Sequence, residues 1–164
     1  MSRHEADRED LFAEGTALTT RIELMVPGEV EPVVAGCRPT GAWSIYFGGD
    51  PCYHFDAEGR LRRAFVGGYL YRTQGETLAR LRRERTDEAV VLERTDLRPE
   101  ELAAFVDAMQ TRLTSLDQLL MYGSADIRRR QPADADVERQ LRLAIQMILA
   151  TCGQLAPVIP TRRR

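Results

Sequence analysis

The sequence predicts an α+β fold in a single domain: an antiparallel β-meander of about eight strands, followed by a C-terminal antiparallel helical pair. Short apolar and β-branched runs, separated by turn residues, fill residues 20–95. Two longer segments with apolar residues at helical spacing follow in residues 96–156. Gly67-Gly68 stand between two strand-like runs, where a two-residue hairpin turn favours glycine because both turn positions need positive φ.

The predicted elements follow one another in hairpin order. Residues 1–19 form a polar arm, expected to be partly disordered or a short helix. A first hairpin is predicted over residues 21–26 and 30–38, with the Pro27-Gly28 turn between them. Six further strands have the sequences WSIYF, CYHF, RLRRAFV, YLYRT, ETLARLRRER and EAVVLERT. Such a sheet must bury one face, so it either twists strongly or curls into a barrel-like form.

Two amphipathic helices complete the predicted domain. The first runs over about residues 97–121, with Pro99 suited to its first position and an apolar stripe of Leu102, Val106, Met109, Leu113, Leu116 and Leu120. The second runs over about residues 136–152, with a stripe of Val137, Leu141, Ala144, Ile145, Ile148 and Cys152. An exposed loop is expected at residues 124–133, and a tail at residues 157–164.

Composition narrows the class of protein. A hydrophobic content of 43% and a charged content of 29% are ordinary for a globular domain. The chain has no long apolar run and no signal-like start, which predicts a cytoplasmic protein without membrane association. Its 3 cysteines are odd in number and widely spaced, so a disulfide framework is not expected. All 23 basic residues are arginine, which indicates a GC-rich genome. An arginine cluster is therefore weaker evidence for a function here than it would be in a protein that also contains lysine.

The second helix carries more apolar surface than one seam requires. Leu143, Met147 and Leu149 widen its apolar face beyond the main stripe, and such a helix needs more than one packing partner. The leading hypothesis is therefore a non-enzymatic interaction module that binds a partner or forms a homodimer through its C-terminal helices. No cofactor is predicted. The alternative is that both helices only pack on their own sheet.

Arginine and tyrosine residues concentrate in residues 60–85. A sheet face that carries Arg62, Arg82, Tyr69 and Tyr71 would bind single-stranded nucleic acid through phosphate pairing and base stacking. The net charge of -2 opposes this hypothesis, because it gives no general attraction to a polyanion. Single-stranded nucleic-acid binding is the second hypothesis.

A small-molecule or metal site is the third hypothesis. Cys52, His54 and Asp56 share one face of a predicted strand, and their side chains are zinc ligands, with Cys37 as a fourth candidate and Asp50 nearby. Paired CxxC or HxxxH spacing is absent from the sequence and Asp56 also suits a turn, so no metal is predicted. Cysteine-nucleophile chemistry is not predicted either, because side chains two apart on a strand are expected roughly 6 to 7 Å apart.

The stretch YFGGDPCYHF, followed by GRLRRAFVGGYLY, resembles a set of uncharacterised bacterial proteins with the pattern YFGxDPxYxF and then GxLRRAFVxGxLY. The similarity covers about residues 43–85. It implies a bacterial origin and assigns neither an activity nor a site residue. Cys52 stands where an aliphatic residue is expected in that pattern, which further weakens a cysteine mechanism.

Overall fold

The computed structural model describes residues 18–48, 50–85, 90–122, 128–129 and 135–156. Within these ranges the side chains of residues 82–85, 90–93, 128–129 and 135 are not described. The predicted tail, and the predicted arm up to residue 17, lie outside the described residues.

The β-strands form one antiparallel sheet in which neighbours in sequence are neighbours in space. Their bounds are β1 Thr20–Met25, β2 Val33–Cys37, β3 Trp43–Phe47, β4 Cys52–Phe55, β5 Leu61–Val66, β6 Tyr69–Gln74, β7 Thr77–Arg85, β8 Val90–Asp96 and β9 Arg128–Arg129. The order from edge to edge is β8-β7-β6-β5-β4-β3-β2-β1-β9. The predicted meander is confirmed. Among the described strands, β8 and β9 are the two edges, so the sheet is open and not a closed barrel.

The short strand β9 corrects one expectation. Arg128 and Arg129 were assigned to an exposed loop, but they pair with Met25 and Leu24 of β1. A loop that returns alongside an edge strand can satisfy that strand's free backbone groups by adding a short strand. The remainder of the predicted loop at 124–133 lies outside the described residues.

Two local backbone features shape the middle of the sheet. Gly67 and Gly68 have φ of 59° and 81° and join Val66 to Tyr69 in a two-residue turn, as the sequence predicted. At the start of β5, Phe55 pairs with Leu61 while His54 pairs with Arg63, so the register shifts by one residue. This β-bulge re-aims the residues beside it.

Helices α1 (Pro99–Tyr122) and α2 (Ala135–Thr151) form the predicted antiparallel pair, and a 3₁₀ turn at Cys152–Gln154 continues α2. At the start of α1, the backbone N–H of Arg98 donates to Oε1 of Glu101 at 3.3 Å, which supplies half of a capping box. Neither helix, over the residues described, is apolar enough over a sufficient length to cross a membrane.

The core lies between the helices and one face of the sheet. This helix-side face carries Ile45, Tyr53, Ala64 and Leu78, all essentially inaccessible to solvent. The buried residues of α1 are Leu102, Phe105, Met109, Leu113, Leu116 and Leu120. Phe105 therefore takes the place predicted for Val106, which is only half-buried. The ring of Phe105 packs on those of Tyr71 and Tyr53, with 4.9 Å and 6.2 Å between ring centroids. The smaller side chain of valine cannot make these contacts.

Candidate functional site

An apolar groove runs beside α2, between that helix and the β2–β3 and β4–β5 turns. Its volume is about 270 Å³. Trp43 and Phe55 come from the sheet, while Ala144 and Ile148 come from α2. Concave surfaces of this size and character bind apolar side chains or small molecules. The groove is therefore a candidate binding site.

Two of the three predicted partner-binding residues stand at this groove. Leu143 is 58% exposed and Met147 is 47% exposed, one helical turn apart, and both line it. Large apolar side chains with this exposure form a ridge along α2. Leu149 is half-buried and packs against the core of its own chain. Leu143 and Met147 thus carry the surplus apolar surface that the sequence indicated.

The β4–β5 turn is held tightly against α2. A Cβ atom on Gly59 would lie 2.9 Å from Cγ of Met147, and Gly59 has a φ of +79°. The hydroxyl of Thr151 donates to the carbonyl oxygen of Gly59 at 3.0 Å. Only glycine permits both the positive φ and this close approach. One wall of the groove is therefore fixed by backbone contact.

On the opposite face of the sheet, a hydrogen-bonded chain of polar side chains runs across β3 and β4. This face, the far face, carries Ser44, Cys52 and His54. The guanidinium of Arg38 donates to Oγ of Ser44 at 2.7 Å, and that oxygen lies 2.8 Å from Nδ1 of His54. Nε2 of His54 lies 3.7 Å from Sγ of Cys52. We call these four residues the polar array.

The polar array overturns one sequence prediction. Cys52, His54 and Ser44 are all buried on the far face. Cys52 and His54 were expected to lie too far apart for a thiol–imidazole contact. That expectation considered only the rise along the strand, whereas the imidazole ring turns back toward the sulfur.

The chemistry of the polar array follows from its donors. Arg38 can only donate, so the single hydrogen of the Ser44 hydroxyl is available to Nδ1 of His54. The remaining ring proton then lies on Nε2 and points to the sulfur of Cys52. Burial, together with the positive charges of Arg63 and Arg38, lowers the pKa of His54 to about 3. His54 is therefore a neutral hydrogen-bonding ring near pH 7.

The candidate metal ligands that the sequence suggested do not converge. Asp56 has left the strand and its Oδ1 accepts the backbone N–H groups of Glu58 and Arg60, at 3.0 and 2.9 Å. Cys37 pairs with Trp43 in register, which places it on the helix-side face, away from His54. Among the described residues, no group of three or more His, Cys, Asp and Glu side chains is placed to hold a metal ion.

The carboxylate of Asp50 is also hydrogen-bonded to the backbone. Its Oδ2 accepts the N–H of Gly67 at 2.7 Å, which ties the β3–β4 turn to the β5–β6 turn. A carboxylate that accepts a backbone N–H stabilises a turn in the same way as a helix cap. The position of Asp50 is therefore explained by the fold.

The predicted nucleic-acid residues are distributed over separate places. Tyr69 is exposed, whereas Tyr71 is half-buried against Phe105 of α1. Arg62 is exposed beside the bulge, about 13 Å along β5 from the end where Tyr69 lies. The side chain of Arg82 lies outside the described side chains. A single stacking platform of Arg62, Tyr69 and Tyr71 is not formed, and nucleic-acid binding stays a prediction.

Sequence reasoning missed two members of the polar array and most of the groove. Ser44 faces His54 because these two residues pair directly between β3 and β4. Placing the turn between WSIYF and CYHF at its correct length would have revealed this pairing. By contrast, the groove joins Trp43 to Ala144, a hundred residues later, and no local pattern connects such positions.

The fold and the groove together define an α+β protein with an open antiparallel meander and a helical pair on one face. Comparisons with protein-family models, with curated proteins and with solved structures find no match to this chain. The resemblance carried by residues 43–85 therefore stays a prediction.

Proposed function

We propose that this protein is an interaction module that forms a homodimer through the groove beside α2. The observation that carries the proposal is the ridge of Leu143 and Met147 directly beside an apolar groove of about 270 Å³. A ridge and a groove on the same surface are self-complementary. Two copies related by a two-fold axis place each ridge in the groove of the other, which is the arrangement of an isologous interface.

The spacing along α2 suits such an axis. Two antiparallel copies of α2 that cross at the level of residue 145 place Leu143 of one copy in the groove of the other, against Met147 on its wall. Each copy then contributes both residues, so two pairs of apolar side chains leave water. Burial of large apolar side chains is the main favourable term in protein association.

The charges of this surface permit the same pairing. Asp136 and Arg139 of α2 are exposed and form an ion pair 3.5 Å long within the helix. In the symmetric arrangement Asp136 stands opposite Gln154 of the second copy, and Arg139 stands opposite Thr151. No like charges meet among these residues, so the surface does not repel its own copy.

Light scattering coupled to size exclusion tests the proposal, with protein loaded from roughly 1 to 100 μM, a range that spans micromolar dissociation constants. The wild-type chain is expected to shift from monomer to dimer across this range. Leu143→Arg places a charge in the apolar contact and is expected to keep the protein monomeric. Circular dichroism and thermal unfolding verify that the variant is folded.

Val30→Arg is the matched control. Val30 is 94% exposed and lies outside the groove, so its substitution adds the same charge at an exposed apolar position elsewhere. This variant is expected to dimerise like the wild type. A wild-type chain that stays monomeric throughout would refute the homodimer, and equal weakening by both substitutions would place the contact elsewhere.

A further inference from the structure

A second cavity lies at the other side of the β4–β5 turn, where this turn, the β6–β7 turn and the end of α2 meet. Its volume is about 150 Å³. Phe55, Leu61, Met109 and Ile148 form an apolar floor, and each of these side chains is buried in the core. We call this space the end cavity. A cavity of about 150 Å³ holds a group the size of benzene.

Three hydrogen bonds hold the frame of the end cavity. Thr151 donates through its hydroxyl to the carbonyl of Gly59 at 3.0 Å, which fixes the β4–β5 turn to α2. The N–H of Ala156 donates to the carbonyl of Glu76 at 2.6 Å, which fixes the β6–β7 turn to the chain after α2. The hydroxyl of Thr73 donates to the carbonyl of Leu61 at 2.5 Å, beside the bulge. Sites of small ligands are usually pre-formed in this way.

Two arginines stand at the mouth of the end cavity. Arg60 follows the β4–β5 turn and Arg62 lies at the bulge, and both residues line the cavity. Both are exposed, and neither forms an ion pair within the part of the chain that the structure describes. Glu76 is the one carboxylate among the described residues that line the cavity. The mouth is therefore net positive.

We infer that the end cavity binds a small organic anion, a monocarboxylate whose apolar part is about the size of a benzene ring. The floor would take the ring or a short hydrocarbon chain, and the guanidinium groups of Arg60 and Arg62 would take the carboxylate. Arginine suits this task because its planar fork donates two parallel hydrogen bonds to a carboxylate. A ligand without charge would lack these charge-assisted hydrogen bonds.

Benzoate is the probe, and isothermal titration calorimetry up to about 10 mM covers the affinity expected of so small a ligand. Benzamide has the same ring and no charge. Benzoate is expected to bind with one site per chain, and benzamide at least about tenfold more weakly, because a hydrogen bond to an ionised group is stronger than a neutral one. Equal binding of the two probes would overturn the anion site.

Variants locate the binding. Arg60→Gln and Arg62→Gln keep hydrogen-bonding capacity but remove a charge at the mouth, and each is expected to weaken benzoate about tenfold. Arg72→Gln is the control, because Arg72 is also exposed on the sheet but does not line the cavity. Thermal unfolding verifies that the variants are folded. No binding of benzoate by the wild type, or equal loss in all three variants, would refute the proposal.

Discussion

Nε2 of His54 lies 3.7 Å from Sγ of Cys52, although the two residues are neighbours on the same face of one strand. Ser44 fixes the other side of the ring through Nδ1, at 2.8 Å. The imidazole is thus held between a hydroxyl and a sulfur. Because His54 is buried, protonation of its ring would place an unsolvated charge near Arg63 and Arg38. The pH dependence of stability follows from this arrangement.

Acid is expected to destabilise the wild type through His54. Burial and two arginines lower its pKa to about 3 in the folded chain, against about 6.5 when unfolded. Between these values only the unfolded chain binds the proton, so the free energy of unfolding falls as the pH falls. Between pH 7 and pH 5 the loss from this group is about 2 kcal/mol. Urea unfolding at a series of pH values measures it.

His54→Asn supplies the reference curve for that measurement. The Asn side-chain oxygen takes the position of Nδ1 and can accept from Ser44, but it does not titrate. Carboxylates titrate in both proteins, so the difference between the two curves isolates His54. A difference that stays constant between pH 7 and pH 5 would contradict the buried neutral ring.

Gly59→Ala is expected to destabilise the protein more than Gly67→Ala does. Both glycines have positive φ, which costs an alanine about 1–2 kcal/mol. At Gly67 the new methyl group meets open space, whereas at Gly59 it meets Cγ of Met147 at 2.9 Å and the backbone of α2 at 3.1 Å. The extra overpacking costs about 1–3 kcal/mol. Equal midpoints of urea unfolding for the two variants would show that the turn does not pack on α2.

Two truncations in α1 test which of Phe105 and Val106 packs against the sheet. Phe105→Ala removes a ring that packs on Tyr53 and Tyr71, and is expected to cost about 3–5 kcal/mol. Val106→Ala removes a half-buried side chain next to it and is expected to cost about 1 kcal/mol. Chemical unfolding compares the two variants. The reverse order would mean that α1 is rotated relative to the sheet.

Thr73 is expected to stabilise the bulge through its hydroxyl. Oγ1 of this buried residue lies 2.5 Å from the carbonyl oxygen of Leu61 and 3.1 Å from that of Arg62. Thr73→Val keeps the shape but removes the single hydroxyl hydrogen that these carbonyls share, at a cost of about 1–3 kcal/mol in the free energy of unfolding. Thr73→Ser keeps the donor and serves as the control. If the two variants have equal stability, the hydroxyl does not contribute.

The three cysteines are expected to differ in their reactivity toward a thiol reagent. Cys37 is half-buried at the groove, while Cys52 and Cys152 are buried. Burial also raises the pKa of Cys37, so little of its thiolate is present at pH 7. The native protein is expected to react slowly at one site and the denatured protein rapidly at three. Protection of Cys37 at high protein concentration would accompany dimerisation, and Cys37→Ser identifies the reactive site.

The fold was predictable because its signals are local. Each hairpin of the meander has its own turn residues, and Gly67 and Gly68 adopt positive φ as their sequence context predicted. The spacing of apolar residues predicted both helices to within about two residues at each end, and Pro99 begins α1. These patterns could not show that Phe105 is buried in place of Val106. Adjacent residues are separated by only about 100° around the helix axis, and packing against the sheet decides which of the two is buried.

The candidate sites were predictable only in part. The sequence by itself determined the order of the strands, the two amphipathic helices and the surplus apolar residues Leu143 and Met147, because strand alternation and helical periodicity are properties of adjacent residues. Only the tertiary structure decided that Ser44 orients His54, that Arg60 and Arg62 both line the end cavity, and that α2 packs against Gly59. These contacts depend on strand register, on one bulge and on the packing of a helix that follows about 80 residues later in the chain, and such long-range geometry leaves no pattern in neighbouring residues.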